Sequence, residues 1–344
     1  MKPGLLERLS EGPVICAEGY LFEFERRGYL QAGAFVPEVV LEHPELVTQL
    51  HREFVHAGSD VVEAFTYYAH REKLRMIDKE HLLEEMNRQA LVLAKEVADE
   101  TGTLLAGDIC NTNVFLDDAD SRAAVRAMFE EQVAWAVDAG VDFIVGETFT
   151  FGEEALLALE TIQATGLPSV ITFSIHQDAT TGEGWTPEEA CKRLEDAGAD
   201  VVGLNCARGP RTMLPLLEKV RAAVDGHVAA LPVPYRTTDA EPTFHSLRDP
   251  DCDVIPTDRP FPTALDPFVC NRYELEDFAR KASALGIDYL GVCCGAGPHH
   301  IRAVAEGLGR TPPASRFSPD MSKHAFLGTD ERVPREYKEY ADRL

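Results

Sequence analysis

Three cysteines carry the most chemistry in this sequence. Gly203-Leu204-Asn205-Cys206 and Gly291-Val292-Cys293-Cys294-Gly295-Ala296-Gly297 each follow a short apolar run and place thiols at its end. Adjacent residues of a regular strand face opposite sides, so Cys293 and Cys294 can reach one ion only where the strand is ending. The flanking glycines make such a break cheap. With Cys206 the pair offers three thiolates and leaves a fourth position open, the ligand pattern of a catalytic zinc ion. Packing as small hydrophobes is the plainer role for Cys16 and Cys191, but it suits a glycine-flanked Cys-Cys pair poorly. A disulfide between neighbours is disfavoured in a reducing compartment. Glu147 ends an otherwise apolar run, and a carboxylate there needs a partner, either a substrate ammonium group or a structural cation. Cys110 is expected to pack near the same rim. His299 and His300 are expected at a helix start or on the surface.

The elements that must position these residues are announced by a repeat. A helical pattern ends on Gly58, Gly140, Gly198 and Gly286, and each glycine is followed two residues later by Asp60, Asp142, Asp200 or Asp288 and then an apolar run. Glycine commonly closes a helix, so helix, glycine, strand, repeated, predicts consecutive βα units on a parallel sheet. Eight strands are expected, at 13–17, 61–65, 104–109, 143–147, 169–174, 201–206, 228–233 and 289–293. Thr186-Pro187-Glu188-Glu189 and Asn271-Arg272-Tyr273-Glu274 read as helix starts with capping boxes. The fold class is therefore α/β, a single (β/α)8 TIM barrel over residues 1–311. A long loop after strand 7, at 234–267, is expected as a lid or an interface arm, and 312–344 as a C-terminal tail. Glu147 lies seven residues beyond its repeat glycine, Cys206 eight, Cys293 seven and Cys294 eight. Functional side chains far apart in sequence thus share one level at the C-terminal rim, where barrel enzymes do their chemistry.

Composition narrows the function. The net charge of −25 in 344 residues excludes a phosphate-binding, nucleic-acid role. No apolar run of about 18 residues predicts a membrane span, and no apolar leader is evident. Eight dispersed cysteines read as reduced thiols, so a cytoplasmic protein is expected. Phe65-Thr66-Tyr67-Tyr68 ends the second strand, with Tyr20 and Phe22 after the first and Phe35 beyond. Such aromatics are ordinarily core; converging at a rim, they would instead box a quaternary ammonium or sulfonium group by cation–π attraction.

With Glu42-His43-Pro44-Glu45, Gln49-Leu50-His51-Arg52-Glu53-Phe54 and Phe65-Thr66-Tyr67-Tyr68-Ala69 added to the two cysteine segments, the chain resembles the homocysteine S-methyltransferase family, in particular its betaine-using members. The likeness runs from Glu7 to about Ser315. It implies zinc held by Cys206, Cys293 and Cys294, with the acceptor thiol at the open position. It implies Glu147 holding the homocysteine amino group, with Glu18 and Gly19 beside it. Tyr68, Tyr67 and Phe35 fall where betaine enzymes place donor-binding aromatics, Phe35 at a position where tryptophan is more usual; Tyr20 is a further candidate. A tyrosine that ligates zinc in the resting betaine enzyme aligns with Thr148. The family reads Asp-Gly-Gly at the first strand where this chain reads Ala17-Glu18-Gly19, so the acid has moved by one position, which within a strand reverses its face.

The expected function is zinc-dependent transfer of a methyl group from a betaine-like onium donor to homocysteine, forming methionine, by a homo-oligomer with small-molecule partners only. The same chemistry with S-methylmethionine, dimethylsulfoniopropionate, another betaine or another thiol is the alternative. A zinc- or thiol-binding regulatory barrel without catalysis is the non-enzyme alternative.

Overall fold

The structure is a computed structural model that describes residues 2–341 and 343; residues 1, 342 and 344 of the two ranges expected above lie outside the described residues. Eight parallel strands close in sequence order into a barrel. They are β1 (Val14–Ala17), β2 (Val61–Glu63), β3 (Leu104–Cys110), β4 (Phe143–Phe149), β5 (Ser169–Phe173), β6 (Val201–Asn205), β7 (His227–Leu231) and β8 (Tyr289–Val292). All eight match the strands expected from sequence, with ends displaced by up to two residues. Nearly every strand residue is buried, as helices covering the outer face of a parallel sheet require.

The glycine–acid repeat has a structural cause. Gly58, Gly140, Gly198 and Gly286 all have left-handed backbone, with φ of 118°, 75°, 92° and 82°, which glycine adopts without steric cost. The aspartates that follow each open an even-numbered strand and accept the backbone N–H of a neighbouring odd strand. Asp60 takes that of Ile15 at 2.8 Å, Asp142 that of Leu105 at 2.7 Å, Asp200 that of Ser169 at 2.9 Å and Asp288 that of Val228 at 3.2 Å. One carboxylate per pair of βα units therefore satisfies a strand-start donor and fixes where neighbouring strands begin. The level of every residue at the far rim follows from that register.

Both expected capping boxes form, at Thr186 with Glu189 and at Asn271 with Glu274. The 234–267 segment packs against residues of the C-terminal rim. Its Phe244 donates its N–H to the Ala207 carbonyl at 2.8 Å, and its ring lies 5.9 Å from Phe22 and 4.9 Å from Phe261. Beyond the last barrel helix (Pro298–Gly307), Ser315 and Ser318 bond to Glu306 and Arg302. Phe317, Met321, Leu327, Tyr337 and Tyr340 then stand exposed.

Asp200→Ala should lower the unfolding free energy by about 2 kcal/mol, the worth of a charge-assisted hydrogen bond, as read from urea denaturation. Gly291→Ala should prevent folding, because its Cβ would lie 1.9 Å from the Cys16 carbonyl oxygen across the β1–β8 pair.

Candidate active site

The C-terminal rim gathers the three cysteines from β6 and β8. Cys206 follows the last residue of β6 with left-handed backbone, φ 53°, and Ala207 continues it at 48°. That turn costs about 1–2 kcal/mol for a residue with a Cβ and swings the thiol off the strand direction. Cys293 and Cys294 follow β8, and the Cys293 N–H still bonds to the Pro232 carbonyl at 2.9 Å. The pair then enters a turn closed by the Ala296 N–H on the Cys293 carbonyl at 3.0 Å. Gly295 is required there twice over: its φ is 93°, and a Cβ would meet the Tyr235 hydroxyl at 2.2 Å. Arg26 binds that hydroxyl at 2.6 Å and the Gly295 carbonyl at 3.2 Å, clamping the turn. Gly19 packs beneath it; a Cβ there would lie 2.2 Å from the Ala296 carbonyl oxygen, so this residue serves close approach.

The sulfurs of Cys206, Cys293 and Cys294 lie within 4.8 Å of one another and are buried. Such a spacing lets three thiolates meet one ion, and a set made only of thiolates suits zinc or another thiophilic metal. Without an ion the three share protons. The Cys293 and Cys294 thiols donate to Cys206 and hold its pKa well below the usual thiol value. Burial and the Cys206 thiolate push Cys293 up, and hydrogen bonding with Cys206 does the same for Cys294. One thiolate is therefore already favoured, and a bound cation would take the place of the two protons.

Next to the sulfurs lies a carboxyl group from each of two elements. Glu147 sits in β4 at an irregularity in pairing with β5 between Gly146 and Phe149, with Thr148 left-handed at φ 61°. Such a bulge re-aims side chains, and here it leaves Glu147 and Thr148 both facing the rim. Glu18 follows the last residue of β1, and because the strand has ended, its carboxyl reaches inward despite the one-residue shift. One oxygen of Glu18, one of Glu147 and the Cys293 sulfur lie within 4.8 Å of one another. Burial raises both carboxyl pKa values well above normal, and each charge adds to the effect, Glu147 on Glu18 and Asp108 on Glu147.

Asn205 organises this group, and it was overlooked in the sequence as merely part of the Gly-Leu-Asn-Cys run. Its amide nitrogen reaches Glu147 at 2.6 Å, the Thr148 hydroxyl at 2.9 Å and Glu18 at 3.3 Å, while its oxygen accepts the Thr148 N–H at 3.0 Å. Glu63 of β2 and Asp108 of β3 were also missed. A carboxylate inside an apolar strand was the signal that singled out Glu147, and both residues carry the same signal.

The aromatics make several contacts. Tyr67 and Tyr68 stand together, ring centres 4.3 Å apart, with Tyr68 left-handed at φ 61° and its N–H on the Cys110 sulfur at 3.3 Å. Phe35 packs on Phe22, 5.7 Å away, in the cluster with Phe244 and Phe261. Tyr20 lies below, stacked on Phe65 with its hydroxyl 3.0 Å from His51 Nδ1; it lines the same small cavity as the carboxyl groups. His300 is buried at a helix start, its Nδ1 accepting the Gly297 N–H at 3.1 Å, and takes no part in the sulfur site.

Comparison with known proteins gives the family. The profile of a family described as homocysteine S-methyltransferase matches residues 19–308. Betaine–homocysteine S-methyltransferase 1 of Danio rerio is 39% identical over 333 residues, covering 95% of this chain and 80% of that protein. An S-methylmethionine–homocysteine S-methyltransferase of Pongo abelii is 35% identical, covering 98% of this chain and 92% of the relative. Among solved structures, the metallated homocysteine methyltransferase MmuM of Escherichia coli shares the fold, with TM-score 0.68 and 18% identity over 87% of this chain and 98% of that one. A barrel with three convergent cysteines, matched over most of its length, belongs to the homocysteine S-methyltransferase family.

Proposed function

We propose that this chain transfers a methyl group from an onium donor to the thiol of homocysteine, yielding methionine, with zinc held by Cys206, Cys293 and Cys294. The observation that carries this reading is the convergence of three buried sulfurs beside Glu18 and Glu147 within 4.8 Å of Cys293. An α-amino thiol carries the two groups such a site pairs with, a sulfur for an ion at the cysteines and an ammonium group for the carboxyls. Zinc bound there would keep the acceptor sulfur as thiolate at neutral pH, the form that is nucleophilic.

The chain's own residues do the rest. Glu147, oriented by Asn205 and Thr148, receives the acceptor's ammonium group, and Glu18 lies across from it. The buried rim withholds water, which favours a reaction in which a thiolate and an onium ion neutralise each other. Tyr67 and Tyr68 offer π faces that orient the donor without a competing nucleophile. The Tyr68 ring already accommodates a cation: Lys73 Nζ sits 4.0 Å from its centre. As the new S–C bond forms, the donor's C–N or C–S bond breaks and its electron pair stays on nitrogen or sulfur. The tertiary amine or sulfide leaves unprotonated, so no general acid is needed. Glycine betaine and S-methylmethionine are the donors to try first, because the relatives above are named for them.

The reading extends to a cytoplasmic homo-oligomer acting on small molecules. All eight cysteines are free, and among the described residues no helix is long and apolar enough to cross a membrane.

Zinc-loaded protein should form methionine from homocysteine and at least one of these donors, followed by mass spectrometry; no methionine from any onium donor would sink the reading. Elemental analysis should find one zinc per chain, lost in Cys206→Ala, Cys293→Ala and Cys294→Ala and kept in Cys191→Ala. Tyr68→Leu should raise the KM of the donor about 3- to 30-fold, the range of a cation–π contact, and leave that of homocysteine unchanged.

A further inference from the structure

Behind the sulfur site, Glu63, Asp108 and Glu147 each offer one carboxyl oxygen within 4.8 Å of the other two. The three residues are 3–4% exposed, and among the described residues none of them, nor Glu18, is paired with a lysine, arginine or histidine at ion-pair distance. Burying one such acid without a partner is already costly. Two oxygens lack any hydrogen-bond partner at all, Asp108 Oδ1 and Glu18 Oε1. Both residues line a cavity of about 10 Å³ that Glu63, Glu147, Cys293 and Cys294 also line, room for one water-sized group.

We infer that Glu63 and Asp108 complete, with Glu147, a three-oxygen seat for one primary ammonium group, that of the thiol acceptor. The inference rests on the methyl-transfer reading for the identity of the acceptor and on the geometry alone for the seat. An –NH3+ group carries three donors, one for each oxygen of the triangle. A trimethylammonium group carries none and exceeds a water-sized space, so the onium donor is excluded from it. A divalent cation is the other occupant to weigh. Magnesium keeps several waters, for which this cavity has no room, and a calcium ion would register as a second equivalent of metal in the test below. Burial raises the pKa of Glu63 and of Asp108 well above normal, with Glu18 adding its charge to both, so a cation among them relieves the cost of their charge.

The seat makes the amino group of the acceptor a condition of binding. Calorimetric titration of the zinc-loaded protein with homocysteine, and with 4-mercaptobutyrate, which lacks the amino group, tests this without turnover. Asp108→Asn and Glu63→Gln should weaken homocysteine about 10- to 100-fold, the worth of one charge-assisted hydrogen bond, and leave 4-mercaptobutyrate unchanged or tighter. The ligand-free Asp108→Asn protein should melt at or above the temperature of the unsubstituted protein, because it loses an unpaired buried acid; a merely structural carboxylate would give the opposite. Equal weakening of both thiols, no weakening of either, or a second equivalent of divalent metal lost in Asp108→Asn would overturn the seat. Homocysteine bound as predicted but never methylated would refute the methyl-transfer reading and leave the seat standing.

Discussion

Three thiols and four carboxyl groups are buried at one end of this barrel, and among the described residues no lysine, arginine or histidine pairs with the carboxyls. Cys206, Cys293, Cys294, Glu18, Glu63, Asp108 and Glu147 are all buried, while the ion pairs of the protein lie elsewhere, mostly on its surface. Removing so many acidic groups from water is tolerable only because protons stand in for missing cations: six of the seven pKa values are pushed up and only Cys206 is pushed down. Positive charge from outside would balance these groups, and the proposed function supplies it three times, as a metal ion at the sulfurs, an ammonium group among the carboxyls and an onium donor at the aromatic rim.

The rest of the structure holds that arrangement still. Asp60, Asp142, Asp200 and Asp288 fix where the strands start, and so set the height at which β4, β6 and β8 deliver their terminal residues. At that height the backbone is forced: Thr148, Cys206, Ala207 and Tyr68 are all left-handed without being glycine. Conformations of this kind gather at functional sites and persist where surrounding contacts over-determine them. Here Asn205 ties β6 to Glu147 and Thr148, and Arg26 with Tyr235 clamps the Cys-Cys-Gly turn.

The barrel was legible in the sequence because its punctuation is local. A glycine that must take positive φ and an aspartate two residues on mark each even strand, and an apolar run does the rest. The convergence of Cys206 with Cys293 and Cys294 followed from counting along those units. Glu18 was harder: a one-residue shift predicts reversal only inside a strand, and where β1 stops was not readable to one residue. Asn205 was hidden because its worth lies in partners 57 and 58 positions away. Glu63 and Asp108 are conspicuous singly, but that they share a cavity with Glu147 depends on the shear of the closed sheet. The packing of Phe22 on Phe244 was not readable, because the 234–267 segment has no periodicity to betray what it packs on. Its Phe244 and Phe261 pack with Phe22, on which Phe35 also lies.

The central claim is that the three cysteines leave one position at the metal for the sulfur of the acceptor. X-ray absorption at the zinc edge, recorded on zinc-loaded protein before and after homocysteine is added, tests it most directly. The account predicts three sulfur neighbours and one lighter atom before addition, and four sulfurs after it. A sulfur count that stays at three when homocysteine is bound would contradict it, because the thiol would then be activated somewhere other than at Cys206, Cys293 and Cys294.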